Sequence, residues 1–170
     1  MHRQKIVIAH KRLTDGNYIE KGEELRSIII IGGGASGMAA AIAAARNGAD
    51  TVIIEHKDRV GKKILSTGNG KCNYTNKEQG LRYYRGENPA FVLSVFEQFG
   101  FKETISFFKE LGIYPKERNG YFYPASEQAA AVLDVLRMEL RRLGVVVYTD
   151  CTLKSIKKNK NKFTIFTDQK

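Results

Sequence analysis

Residues 27–55 read SIIIIGGGASGMAAAIAAARNGADTVIIE, and their order is strand, glycine turn, helix, strand, acid. Residues 28–31 are an unbroken β-branched run, the pattern of a strand buried on both faces of a parallel sheet. Gly32, Gly34 and Gly37 then fit G-x-G-x-x-G. In that pattern the first glycine allows the tight turn and the second lets a phosphate reach the backbone. The third lets the helix pack closely on the strand. The helix start, with Ala35 and Ser36, offers free N–H groups and a positive dipole end to an anion. Residues 52–54 form the next strand. Glu55 follows 23 positions after Gly32, where an acid can accept a hydrogen bond from a ribose hydroxyl. A glycine turn alone is a weak signal, and packing is the plain alternative. The strand before, the Ala-rich helix after and the closing acid all favour a dinucleotide site.

A chain of 170 residues with 42% hydrophobic content suits one domain with a real core. No apolar run approaches the roughly 20 residues that cross a bilayer. The start, MHRQKIVIAHKR, has too short an apolar stretch for a secretory signal, so the expected location is the cytoplasm, with no membrane partner. Cys72 and Cys151 are far apart and form no CxxC, and His2, His10 and His56 are scattered, so no metal site is expected. The formal net charge of +10 raises the question of an anionic partner. Much of the excess lies in residues 154–162 (KSIKKNKNK), a turn-like stretch without interleaved aromatic residues. On that ground a solvated turn is preferred and nucleic acid is not the expected partner.

Outward from the core unit, residues 1–26 are a polar extension with one strand-like run at 6–9. Residues 56–80 are a Gly- and Asn-rich loop. Residues 89–112 carry apolar residues at helical spacing, broken near Gly100, which predicts two helices. Residues 113–125 predict a loop or short hairpin turning at Asn119–Gly120. Residues 126–143 predict a helix with Ser126 as N-cap and Gly144 as stop. Residues 145–149 read as another buried strand, and 152–157 with 162–167 as an antiparallel pair.

The loop at 60–76, VGKKILSTGNGKCNYTN, is the second informative stretch. Gly61, Gly68 and Gly70 let backbone wrap a ligand, and Lys62, Lys63 and Lys71 supply positive charge. Ser66, Thr67, Asn69, Asn73, Thr75 and Asn76 supply hydrogen-bonding groups. With GGGASG, Glu55 and the later GYFYPAS, this loop resembles the HI0933-like (BaiN-like) family, FAD-dependent oxidoreductases of the glutathione-reductase type. The family pattern is close to G-R/K-K-L-x-x-[ST]-G-x-G-R/K-C-N-x-[ST]-N, and residues 61–76 match it almost throughout. The resemblance covers about residues 27–168. Tyr121 stands after Gly120 where family members often carry Arg.

The resemblance implies an α/β fold: a Rossmann-like parallel sheet of the FAD-binding, glutathione-reductase type, with a β-meander over residues 152–167. Residues 27–170 would be the FAD-binding domain, and the strand order would be 145–149, 52–54, 28–31. It implies that Gly32, Gly34, Ala35, Ser36 and Gly37 bind the pyrophosphate and Glu55 the adenosine ribose. It also implies that Lys63, Thr67, Gly68, Gly70, Lys71, Cys72 and Asn73 line the cofactor toward the flavin. His56 is weighed as a stacking group near adenine against a part-exposed loop residue, and Cys72 as a flavin-facing thiol against a small packing residue. No general acid or base is singled out, because the reactive chemistry belongs to the cofactor.

Family members are much longer than this chain, so it is expected to be truncated and its catalytic competence alone is open. The function expected is the FAD-binding portion of a flavin-dependent oxidoreductase passing hydride between a nicotinamide, NAD(P)H, or an organic substrate and FAD, with the substrate unnamed. The alternatives are a non-catalytic fragment that binds nucleotide weakly, a flavin-dependent RNA-modifying protein, and an NAD-dependent dehydrogenase. The free edge of strand 28–31 is expected to be covered by residues 6–9. Failing that, a missing C-terminal segment or a second copy of the chain would serve.

Overall fold

The computed structural model describes Lys5–Ile6, residues 27–160 and residues 162–169. The element order is β1 (Lys5–Ile6), β2 (Ser27–Ile31), α1 (Ala35–Arg46), β3 (Asp50–Ile54), β4 (Thr75–Asn76), α2 (Phe91–Gln98), α3 (Phe101–Glu110), β5 (Pro115–Arg118), β6 (Tyr121–Pro124), α4 (Ala129–Arg142), β7 (Val146–Tyr148), β8 (Cys151–Asn159) and β9 (Lys162–Gln169). Two compact units divide these elements: residues 1–61 with 139–170, and residues 62–138.

The first unit holds a parallel sheet of order β2-β3-β7 and an antiparallel sheet of order β1-β9-β8. The β-branched run of β2 pairs residue by residue with β3, Ile28 beside Thr51 through Ile31 beside Ile54. Alternation along β3 then builds two layers. Val52 and Ile54 face Cys151 and Ile165 of the meander, and Ile29, Tyr148 and Leu153 close that cluster. Ile53 points the other way, to the face that α1 covers with buried Met38, Ala41 and Ile42. The helix forms there because seven of its twelve residues are Ala, and it stops where Asn47 donates back to the Ala43 and Ala44 carbonyls and Gly48 takes φ +79.

The expected strand order and the two-helix reading of residues 89–112 both hold. The edge expectation does not. β1 pairs antiparallel with β9, Lys5 beside Phe166 and Ile6 beside Ile165, rather than with β2. Residues 7–9 lie outside the described residues. Among the described residues β2 keeps one neighbour, and Ile28 and Ile31 remain 38% and 45% exposed. Ile6 fits a meander edge as well as a sheet edge, and β9 supplied one.

Glu139, near the end of α4, is buried between two guanidiniums. Arg46 of α1 donates to Oε1 at 3.0 Å through Nε, and Arg142 donates to Oε2 at 2.6 Å. The Arg142 hydrogen bond, joined by that of Arg46, outweighs burial and holds the carboxyl down at about 2. A depressed carboxyl stabilises the fold at pH values above its ordinary 4.5 and loses that contribution as pH falls toward about 2. Glu139→Gln should therefore lower stability by roughly 2 kcal/mol at pH 7, discounted for the exposure of both arginines. In urea denaturation the gap to the parent should close between pH 4.5 and pH 2.5. A gap of equal size at both ends would show that the charge is not what matters.

The second unit packs α2, α3 and the sheet β4-β6-β5 through aromatic contacts, Tyr74 on Phe108 at 4.7 Å and Phe101 on Phe122 at 4.9 Å. β5 and β6 form the expected hairpin, with Asn119 and Gly120 both at positive φ. Ser126 is not the N-cap of α4: Glu127 takes φ +52 and the helix begins at Ala129.

Candidate dinucleotide site

The glycine turn sits between β2 and α1, and its backbone is held by two bonds. Gly32 N–H donates to the Ile54 carbonyl at 2.8 Å, and Gly61 N–H donates to the Gly33 carbonyl at 2.7 Å. Three glycines have three different reasons to lack a side chain. Gly32 takes φ +99, which L residues rarely adopt. A Cβ on Gly37 would lie 1.9 Å from the Gly32 carbonyl oxygen, so the helix approaches the strand as closely as backbone allows. A Cβ on Gly34 would meet nothing within 4 Å among the described residues. Packing does not explain that glycine, and the space beside it is what an approaching phosphate requires. Gly34 is the N-cap of α1, and Ala35 and Ser36 lie exposed in its first turn, where α-helical N–H groups have no intrahelical partner.

Glu55 closes this half of the site. Its N–H donates to the Tyr148 carbonyl at 2.8 Å and its own carbonyl accepts from Cys151 N–H at 3.0 Å, so the residue is pinned between the two sheets of the unit. The side chain is 6% exposed. Oε2 accepts from Gly33 N–H at 2.7 Å, and Oε1 accepts from Lys57 N–H at 2.8 Å and lies 2.8 Å from His56 Nδ1. His56 itself is largely exposed and is held at the rim by that contact. Sequence reasoning missed Gly33. Its Cβ would stand 2.3 Å from Val60 Cγ1 and 3.3 Å from Glu55 Oε2, and its signal was the unbroken GGG.

The second set, Lys63, Thr67, Gly68, Gly70, Lys71, Cys72 and Asn73, lies in the other unit and is folded rather than loose. Residues Lys62–Gly70 form short 3-10 turns interrupted where Thr67 is extended and Gly68 and Asn69 are left-handed. Cys72 N–H donates to the Thr67 carbonyl at 3.0 Å and Lys71 N–H to the Gly68 carbonyl at 3.1 Å, which closes the loop on itself. A Cβ on Gly68 would meet Asn73 N at 2.6 Å. Lys63 is exposed, with its carbonyl accepting from Ser66 Oγ at 3.0 Å. Lys71 lies 3.6 Å from Glu127, a carboxylate it shares with Lys116 at 2.8 Å and Arg118 at 2.6 Å.

Cys72 is buried at φ +58, and burial pushes its thiol up while Thr67 acts the other way. That suits a packing residue better than a nucleophile. Beside it, Asn73 Oδ1 and the Tyr74 hydroxyl are buried with no hydrogen-bond partner among the described residues. Burial, then Cys72, pushes the Tyr74 phenol up to about 12. Orphaned buried polar atoms are rare, and a polar ligand edge is one thing that satisfies them. Among the described residues no group of three His, Cys, Asp or Glu is placed to hold a metal ion.

The chain resembles known proteins over most of its length. It is 50% identical over 146 residues to the 3-dehydro-bile acid delta(4,6)-reductase of Clostridium scindens, a match to 85% of this chain and 36% of that one. It is 30% identical over 134 residues to the ribosomal RNA dihydrouridine synthase of Haemophilus influenzae, 78% of this chain and 33% of that one. The chain therefore spans about a third of the length of these relatives. In fold it is similar to the 3-ketosteroid-delta4-(5alpha)-dehydrogenase of Rhodococcus jostii, with a TM-score of 0.56 at 15% identity over 85% of this chain and 44% of that one. The model of the HI0933-like protein Rossmann domain matches residues 26–170, and the chain belongs to that family as its FAD-binding Rossmann portion.

Proposed function

We propose that this chain holds FAD for a cytoplasmic enzyme that reduces a carbon–carbon double bond conjugated to a carbonyl, with NAD(P)H as electron donor. FAD supplies the two-electron hydride chemistry. The residues of this chain bind and orient it: the turn from Gly32 to Gly37 takes the pyrophosphate and Glu55 the ribose. Lys63, Thr67, Gly68, Gly70, Lys71, Cys72 and Asn73 run along the cofactor toward the ring. The observation that carries the cofactor half is Gly34, a glycine whose missing side chain nothing among the described residues requires.

The substrate half rests on the two curated relatives. One is named for the delta(4,6) bonds of a 3-dehydro-bile acid and the other for dihydrouridine. Both names describe saturation of a double bond in conjugation with a ring carbonyl. The substrates differ in size and charge, but the bond reduced is of one class.

Gly34→Val should place a side chain where the pyrophosphate lies. ADP affinity of the chain, measured by calorimetry, should fall at least tenfold, about 1.4 kcal/mol. Unchanged affinity would refute the placement. For the reaction, the chain joined to the remaining two thirds that its relatives possess should oxidise NADH or NADPH faster on adding a 3-oxo-delta4 steroid or a uridine-containing RNA. Turnover with neither would overturn the substrate class while leaving the ADP result standing.

A further inference from the structure

The β8–β9 hairpin changes the meaning of the basic stretch. Read along the chain, no aromatic residue is interleaved among its lysines. Read across the ladder, the lysines meet aromatic rings. Lys158 pairs with Phe163 and Ser155 with Phe166, with Lys157 two residues along from Ser155 on the same face. Lys158 Nζ lies 5.9 Å from the Phe163 ring centre and Lys157 Nζ 5.5 Å from that of Phe166. The two-residue alternation puts Ile156, Lys158, Phe163 and Ile165 on one face and Lys157, Thr164 and Phe166 on the other. Phe163 is 63% exposed and Ile156 51%. Lys157, Lys158 and Lys160 are all exposed, and residues 151–167 contain no acid. Lys154, nearer the base, is paired with Asp168 at 2.5 Å.

We propose that the outer half of this ribbon, Lys157, Lys158, Lys160 and Phe163, is a docking surface for single-stranded RNA. The chemistry is that of a sequence-tolerant strand binder: lysines for phosphates and an exposed ring for stacking a base. Charge complementarity favours this occupant over a lipid surface. Lysines stand on both faces and at the turn, so the hairpin has no uncharged side to bury in acyl chains. A duplex hides the faces of its bases, so it meets the lysines but not the ring. The surface is independent of the cofactor site, and its test needs no flavin.

Fluorescence anisotropy of the full 170-residue chain with a labelled 12-nucleotide RNA measures it, with the same sequence as a duplex for comparison. The single strand should bind several-fold more tightly. Phe163→Ala should weaken it about tenfold at one salt concentration, and Phe163→Trp should restore it. Lys158→Gln should reduce the slope of log K against log salt by about 0.7. Because Phe163 is exposed, the melting temperature of Phe163→Ala should match the parent. Equal affinity for duplex and single strand would overturn the proposal. So would an unchanged Phe163→Ala, or binding to anionic phosphatidylserine vesicles without binding to RNA.

Discussion

Gly37→Ala is expected to destabilise the ligand-free chain by at least about 2 kcal/mol, while Gly34→Ala shifts it by less than about 1 kcal/mol. The two glycines are three residues apart on one turn and differ in what a Cβ would touch. On Gly37 it would lie 1.9 Å from the Gly32 carbonyl oxygen and 3.1 Å from its carbon. Both are backbone atoms of a turn fixed by the bond from Gly32 N–H to Ile54, so α1 must move as a body. Overpacking of that kind costs about 3 kcal/mol, and alanine's better helix propensity returns at most about 1. On Gly34 the Cβ meets nothing and φ is −75, which alanine adopts freely. Gly33→Ala falls between, because the clash is with a side chain: Val60→Ala removes the 2.3 Å contact and should recover part of the loss. Urea denaturation of the parent and these four variants decides. A Gly37→Ala chain as stable as the parent would mean the helix does not approach the strand as described.

The ordering of these glycines shows what the sequence carries. The β-branched run, the turn and the acid were legible because each is a local requirement of one backbone geometry. So was the hairpin at Asn119 and Gly120, whereas the order of the three parallel strands came from the family resemblance. Pairings between distant segments were less visible. Ile6 of β1 is compatible with any free edge, and nothing near it says that Ile165 is its partner. The aromatic partners of Lys157 and Lys158 are nine and five residues away and meet them only through the hairpin register. Ser126 had the chemistry of a cap, but Glu127 turned left-handed after it and carried its carboxylate to three cations, Lys116 first among those that hold its carboxyl below the usual range.

The loop at 60–76 was legible as a motif and not as a structure. Its glycines and asparagines read as flexible, yet the turns fold back on one another. Gly68 is needed because Asn73 N comes within 2.6 Å of where its Cβ would be. The same close packing leaves the Asn73 and Tyr74 oxygens buried without partners. Sequence composition cannot show that, because it depends on which way the polar atoms face.

Glu55 was read as a ribose ligand, and the structure gives it a second duty that predicts a large effect without any ligand. Its carboxylate is the partner of the buried Gly33 N–H at 2.7 Å and of Lys57 N–H at 2.8 Å. Glu55→Ala would leave the Gly33 donor with neither partner nor ready access to water. A hydrogen bond to a charged acceptor is worth about 1.5–3 kcal/mol, and an orphaned buried donor adds its own desolvation, so the loss should be about 3 kcal/mol. Glu55→Gln keeps one acceptor oxygen and should lose roughly half as much. The amide of Gly33 reports on this directly. It should exchange slowly in the parent chain, faster in Glu55→Gln and fastest in Glu55→Ala. A carboxylate has about four acceptor positions and three donors already surround this one, which leaves room on Oε2 for one hydroxyl. On the proposed ribose contact, bound ADP would cover that oxygen and the turn, so ADP binding should protect the Gly33 amide further in the parent chain. If Glu55→Ala keeps both its stability and a protected Gly33 amide, the acid does not hold the turn, and its place in the site reduces to contact with the ligand alone.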